Sequence, residues 1–165
     1  MTVLGIDPGA TCGLALVDIA EHRIIKLRTL YGRTCAQQGE TVDNLIFTYR
    51  PQIVAIQVPR PRKGKFAFFH KGKDGKPISP ASIVIHAGMA GWLTGFVACL
   101  GQLVDYGYAT EKYAQFRVVE VSSQGRRGQG LKMDAKTFNA YWNYEGLHSK
   151  HARDAAAIAL QGAKT

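Results

Sequence analysis

The sequence predicts a single α/β domain over residues 1–165, a mixed sheet of three antiparallel strands followed by parallel ones, flanked by helices. Three observations carry that expectation. Short apolar runs crowd the chain between Val3 and Leu30 with only brief turns between them, as in a meander. A continuous apolar run, Ile53–Val58, is bounded by prolines, the pattern of a central strand buried on both faces. Two helical segments close the chain, so helices cover strands laid down earlier.

The elements follow in order. Val3–Ile6 and Gly13–Val17 read as a hairpin around Asp7-Pro8-Gly9-Ala10-Thr11-Cys12, and Ile24–Leu30 as the third strand. Ala36–Tyr49 carries Val42, Leu45, Ile46 and Tyr49 at helical spacing, and Pro51 stops it. Beyond Ile53–Val58 come a long apolar helix from Pro80 to Leu100 and a strand at Phe116–Ser122. Helices at Met133–Tyr144 and Ser149–Gly162 complete the chain. A chain of 165 residues buries about 70% of its unfolded surface, enough for an unstapled core. Its 46% hydrophobic content excludes general disorder.

Charge points outward. With 21 Lys+Arg against 12 Asp+Glu, the chain carries +9 and a pI near 9.6, which favours a polyanionic partner. The excess is concentrated. Residues 59–80 hold Arg60, Arg62, Lys63, Lys65, Lys71, Lys73 and Lys76 against Asp74 alone, and so contribute +6 of the total. Four prolines and three glycines make this stretch a loop. Phe66, Phe68 and Phe69 inside it suit stacking on opened bases, at about 1–3 kcal/mol per base, or tucking beneath the loop as a small apolar cluster. A second basic, glycine-rich loop at Ser122–Lys132 adds Arg126, Arg127 and Lys132.

Residues 81–100 lack any charged side chain, and small residues recur at Ala87, Gly91 and Gly95, as in a membrane span. Ser82, His86, Thr94 and three glycines favour instead a core or dimer helix that lets another element approach closely, with no membrane partner. Cys12, Cys35 and Cys99 form no Cys-x-x-Cys and fit a reducing compartment, the cytoplasm first, with an organelle or a phage-infected cell as alternatives. The first residues have no basic stretch and meet Asp7, unlike a signal peptide.

Four residues stand out chemically. Asp7 ends the first strand and suits either a metal or phosphate site or simple turn initiation. Gly5, Gly9 and Gly13 spell neither a P-loop nor a dinucleotide turn. His151 and Asp154 lie three apart and share a helix face with Ala155, Ile158 and Ala159. An Asp buried there needs a partner or a metal; on an exposed first turn it would only favour the helix dipole. His148 precedes that helix and suits a loop role. Gln57, near the end of the buried run, is a site candidate or a hydrogen-bonded core amide.

Together GIDPGATCGLAL, VAIQVPRP and HARDAAAIAL resemble the RuvC family of Holliday-junction resolvases, within the RNase H-like nuclease superfamily, in order and spacing over nearly the whole chain. The resemblance implies an RNase H-like fold, a homodimer packed through the 81–100 helix, and Mg²⁺-dependent (or Mn²⁺-dependent) hydrolysis of branched DNA such as four-way junctions. It places Asp7, Gln57, His151 and Asp154 at the metal-holding positions and Lys136 near the scissile phosphate.

Gln57 departs from the family, which carries Glu there. An amide offers a hard cation no charge, so one metal should be weakened or misplaced. Two-metal displacement would then lose stabilisation at the attacking and leaving oxygens. The expectation is an endonuclease inactivated at this position, either as a variant made to trap DNA or as a natural member with damaged catalysis. A non-catalytic branched-DNA-binding protein on the same fold is the alternative. An actin-like nucleotide-binding fold would need a second lobe and a second phosphate loop, which this length does not accommodate.

Overall fold

A computed structural model describes residues 1–58, 80–107, 113–122 and 134–165. The basic-loop expectations, Arg60 through Lys76 with Phe66, Phe68 and Phe69, and Arg126, Arg127 and Lys132, lie outside the described residues.

The strands are β1 (Thr2–Asp7), β2 (Thr11–Asp18), β3 (Arg23–Tyr31), β4 (Ile53–Val58) and β5 (Arg117–Ser122). The helices are α1 (Cys35–Tyr49), α2 (Pro80–Asp105), α3 (Ala135–Trp142) and α4 (Lys150–Gly162). One five-stranded sheet runs in the order β3-β2-β1-β4-β5. The hairpin neighbours β1/β2 and β2/β3 are antiparallel, whereas β1/β4 and β4/β5 are parallel.

Strand alternation divides the interior into two cores. Leu4, Ile6, Leu14, Leu16, Val54 and Ile56 point toward α1 and α2. Val3, Ala15, Val17, Ile53, Ala55, Val119 and Val121 point toward α3 and α4. Because β1 and β4 are buried on both faces, their sequences are continuously apolar, the feature that made the β4 run legible.

Helix boundaries have local causes. Thr34 and Gln37 form a reciprocal capping box at the start of α1, and Arg50 closes it in the left-handed conformation just before Pro51. The second helix runs to Asp105, five residues past the expected end at Leu100. Gly101 does not stop it: a Cβ there would lie 2.8 Å from Val118 Cγ2, so the glycine lets α2 settle onto β5. The third helix is shorter than expected, with Asp134 capping its N-terminus and Asn143 left-handed at its end.

The small-residue stripe of α2 takes the opposite face from the core. Ala90, Leu93, Val97, Leu100 and Val104 are buried, while Gly88, Gly91 and Gly95 have open space where a Cβ would be. Among the described residues, then, no element makes a close approach to them. Residues Ala87–Asp105 are long and apolar enough to cross a membrane, and a third of that window is buried.

Candidate active site at the end of the central strands

The site begins with small residues. On the α4-facing side of β1 and β2 stand Gly5 and Gly13, and α4 answers with Ala152, Ala155, Ala156 and Ala159, all buried. A Cβ on Gly5 would meet the Ala155 carbonyl and lie 2.8 Å from Ala159 N. One on Gly13 would run into the His151 carbonyl at under 3.0 Å. Helix and sheet thus touch backbone to backbone, and the first turn of α4 is seated directly over the end of β1. Ser149 caps that turn by accepting from Ala152 N at 3.1 Å.

The seating brings Asp7 and His151 together across 144 residues of chain. His151 Nδ1 lies 3.0 Å from Asp7 Oδ2, with the Asp7 side chain 12% and the His151 ring 41% exposed. The hydrogen bond to Asp7 raises the His151 pKa above its usual 6.5, aided by the charges of Asp7 and Asp154 and opposed by burial and by Lys150. Asp154 is half-buried one turn along α4.

Sheet register supplies the neighbours. Asp7 pairs with Gly13, which pairs with Thr29 on β3. On the other side Ile6 pairs with Ile56, so one further step of the parallel register sets Gln57 beside Asp7. Gln57 itself pairs with Val121 and is half-buried. A single row therefore crosses the sheet from Gln57 through Asp7 and Gly13 to Thr29. Lys136 sits in the first turn of α3, exposed to solvent.

Neighbouring groups are chemically quiet. Burial, then the Asp7 charge, pushes the Cys12 thiol up to about 12, so it is neither a nucleophile nor a ligand near neutrality. His148 is held in the loop before α4. Its Nε2 lies 2.6 Å from the Asn139 side-chain amide and its Nδ1 3.2 Å from the Arg153 guanidinium. Burial, with the Arg153 charge, lowers its pKa, and the neutral ring packs edge-on to Phe138.

Two features escaped the sequence reading. Gln38, wholly buried on α1, donates from Nε2 to the Gly9 carbonyl at 3.0 Å and anchors the turn after Asp7; its Oε1 has no hydrogen-bond partner among the described residues. Its place one helical turn before Val42, on the apolar stripe, was the available signal. Thr29 Oγ1 and Ser149 Oγ lie 2.5 Å apart and tie β3 to the start of α4. Nothing local announces that pair, since 120 residues separate its members.

As a metal site the donor set is incomplete. Among the described residues, no three His, Cys, Asp or Glu side chains come together as a cation would require. Asp7 and Asp154 supply carboxylates and His151 an imidazole, while Gln57 brings an uncharged amide to the position beside Asp7. Hard cations prefer anionic oxygen, so this set falls short of a two-ion centre.

An antiparallel three-stranded meander extended by two parallel strands, with helices on both faces and an acidic residue ending β1, defines an RNase H-like fold. It is the fold of RuvC. Thermus thermophilus RuvC in complex with a Holliday junction substrate superposes with a TM-score of 0.63 at 21% identity, covering 99% of this chain and 93% of that one. A second structure of Thermus thermophilus RuvC gives 0.62 at 21% identity over the same shares. Fowlpox virus resolvase with its substrate Holliday junction DNA gives 0.50 at 13%, covering 98% of this chain and 95% of that one. No protein-family model matches the chain, and no curated protein matches it by sequence.

Proposed function

We propose that this chain is a RuvC-like protein that acts on four-way DNA junctions as a homodimer, with a hydrolytic site one carboxylate short at Gln57. The observation that carries the reading is the Asp7–His151 pair, set beside Gln57 at the carboxyl ends of the central strands β1 and β4 of a RuvC-like sheet. Asp7, Asp154 and His151 are the residues that a Mg²⁺ or Mn²⁺ site would draw on, and a carboxylate restored at position 57 is what that set lacks. Because the donor set falls short, metal-assisted hydrolysis is expected only once that carboxylate is restored. The residues can still orient a phosphodiester: His151 offers an imidazole N–H beside the carboxylate of Asp7, and the exposed Lys136 on α3 is proposed to meet a DNA phosphate.

The +6 of the 59–80 stretch supports a phosphate grip whose affinity drops steeply with salt. The outward stripe of α2, with Gly88, Gly91 and Gly95 open, supports the dimer. We place the protein in a reducing compartment, where the exposed free thiol of Cys99 would persist.

The test is cleavage of a synthetic four-way junction in Mg²⁺ by this chain and by Gln57→Glu, side by side. The reading expects junction binding by both and cleavage that appears or rises sharply in Gln57→Glu. Binding by both with cleavage by neither favours the second reading, a non-catalytic branched-DNA binder, which the incomplete donor set among the described residues also supports. Absence of binding to the junction eliminates both.

A further inference from the structure

Beside the Asp7 site, on the far side of Gly13, β3 and the start of α4 enclose a groove of about 340 Å³. Its lining includes Arg28, Thr29, Tyr31, Leu147, His148 and Ser149. That volume lies at the small end of ligand pockets and suits one nucleoside-sized group rather than a duplex. The register Asp7–Gly13–Thr29 sets its floor two strand spacings, about 10 Å, from the strand that carries Asp7. At roughly 3.4 Å of rise per stacked nucleotide, a strand whose phosphate lies at Asp7 reaches the groove within a few nucleotides.

The chemistry of the groove is specific. Thr29 and Ser149 hold two hydroxyl protons between them, and one is consumed in the bond that joins them. Ser149 Oγ also accepts from Ala152 N. Whichever hydroxyl donates to the other, one O–H remains to offer to an acceptor. At the mouth, Tyr31 is 66% exposed and Leu147 is fully exposed, two large apolar side chains that the fold leaves uncovered. Arg28, also exposed, adds a cation to the lining.

We propose, resting on the branched-DNA reading, that this groove takes one unpaired nucleotide of the strand leading away from Asp7. Its base lies on Tyr31, and an acceptor oxygen meets the Thr29–Ser149 hydroxyl pair. An aromatic face, a single donor and a nearby cation match a base and its phosphate, and the sheet register sets the groove two strands away from Asp7. The occupant must be unpaired, because a base stacked within a duplex has no free face for Tyr31.

The test uses the full chain and a four-way junction carrying 2-aminopurine near the crossover, with fluorescence and anisotropy read together. Wild type is expected to bind and to change the 2-aminopurine emission at one or two positions. Tyr31→Ala should abolish that change and weaken junction binding about tenfold, with a smaller effect on linear duplex. Tyr31→Phe should restore both. Tyr31 is exposed, so neither variant threatens the fold. Wild-type binding to the junction that is indifferent to Tyr31→Ala, or a Tyr31→Phe variant as impaired as Tyr31→Ala, overturns the groove assignment alone. Failure of wild type to bind the junction overturns the branched-DNA reading along with it.

Discussion

Gly13 lies directly under the backbone carbonyl of His151, with no room between them for a methyl group. That contact sets the height of the first turn of α4 above the sheet, and so the 3.0 Å approach of His151 to Asp7. Gly13→Ala should lift or tilt α4. Overpacking a tight interior costs about 1–3 kcal/mol, and a rigid carbonyl as the obstacle puts this case at the upper end. Urea denaturation measures the loss. A Gly13→Ala protein as stable as wild type would show that α4 is not seated by this contact.

The two histidines flanking Ser149 should titrate in opposite directions. The Asp7 bond raises His151 above 6.5, so its contribution to stability is complete below 6.5 and is lost as pH rises through the raised folded value. Burial lowers His148, so its contribution is present above 6.5 and is lost as pH falls through the depressed value. Proton NMR of the imidazole resonances reads both. Asp7→Asn should bring His151 down while leaving His148 where it was; a common midpoint for the two rings would contradict the geometry.

Gln38 offers a test in which two effects nearly cancel. Replacing it with Leu removes the donor to the Gly9 carbonyl, a loss of about 1–3 kcal/mol. The same change removes a buried Oε1 that has no partner among the described residues, which recovers a similar amount. Gln38→Leu should therefore lie within about 1 kcal/mol of wild type. Gln38→Ala opens a cavity as well and should lose roughly 2–4 kcal/mol. Thermal melts that rank Leu and Ala equally would remove this account of the amide.

The outward face of α2 carries the dimer proposal, and Gly91 tests it cleanly. Nothing lies within 4 Å of the position a Cβ would take, so Gly91→Glu meets no clash within the described protomer. It should even gain a few tenths of a kcal/mol in helix propensity. Sedimentation should give a dimer for wild type and a monomer for Gly91→Glu with unchanged circular dichroism. A dimer that survives the substitution would place the interface elsewhere.

Much of this architecture was legible along the chain. The meander, the buried β4 run and the last helix follow from periodicities of two and 3.6, which depend only on neighbouring residues. Gly101 shows where such reading stopped. Locally it resembles a helix end, yet in space it is the close contact that lets α2 pass over Val118 and continue to Asp105. Gln38 shows the same limit, because its partner at Gly9 belongs to a turn 29 residues earlier.

The sequence by itself determined the strand and helix order, the uneven charge and the residue types at Asp7, Gln57, His151 and Asp154. It also carried the expectation of an RNase H-like fold, which the likeness to RuvC structures bears out. Tertiary structure decided which of those residues meet. Asp7 touches His151 because two glycines and a row of alanines let a helix rest on bare backbone, and the parallel pairing of β1 with β4 then sets Gln57 alongside. The Thr29–Ser149 groove belongs wholly to that second category. Its members are ordinary hydroxyls until the same close packing draws β3 and the α4 cap together, since proximity across 120 residues is a property of packing and not of local pattern.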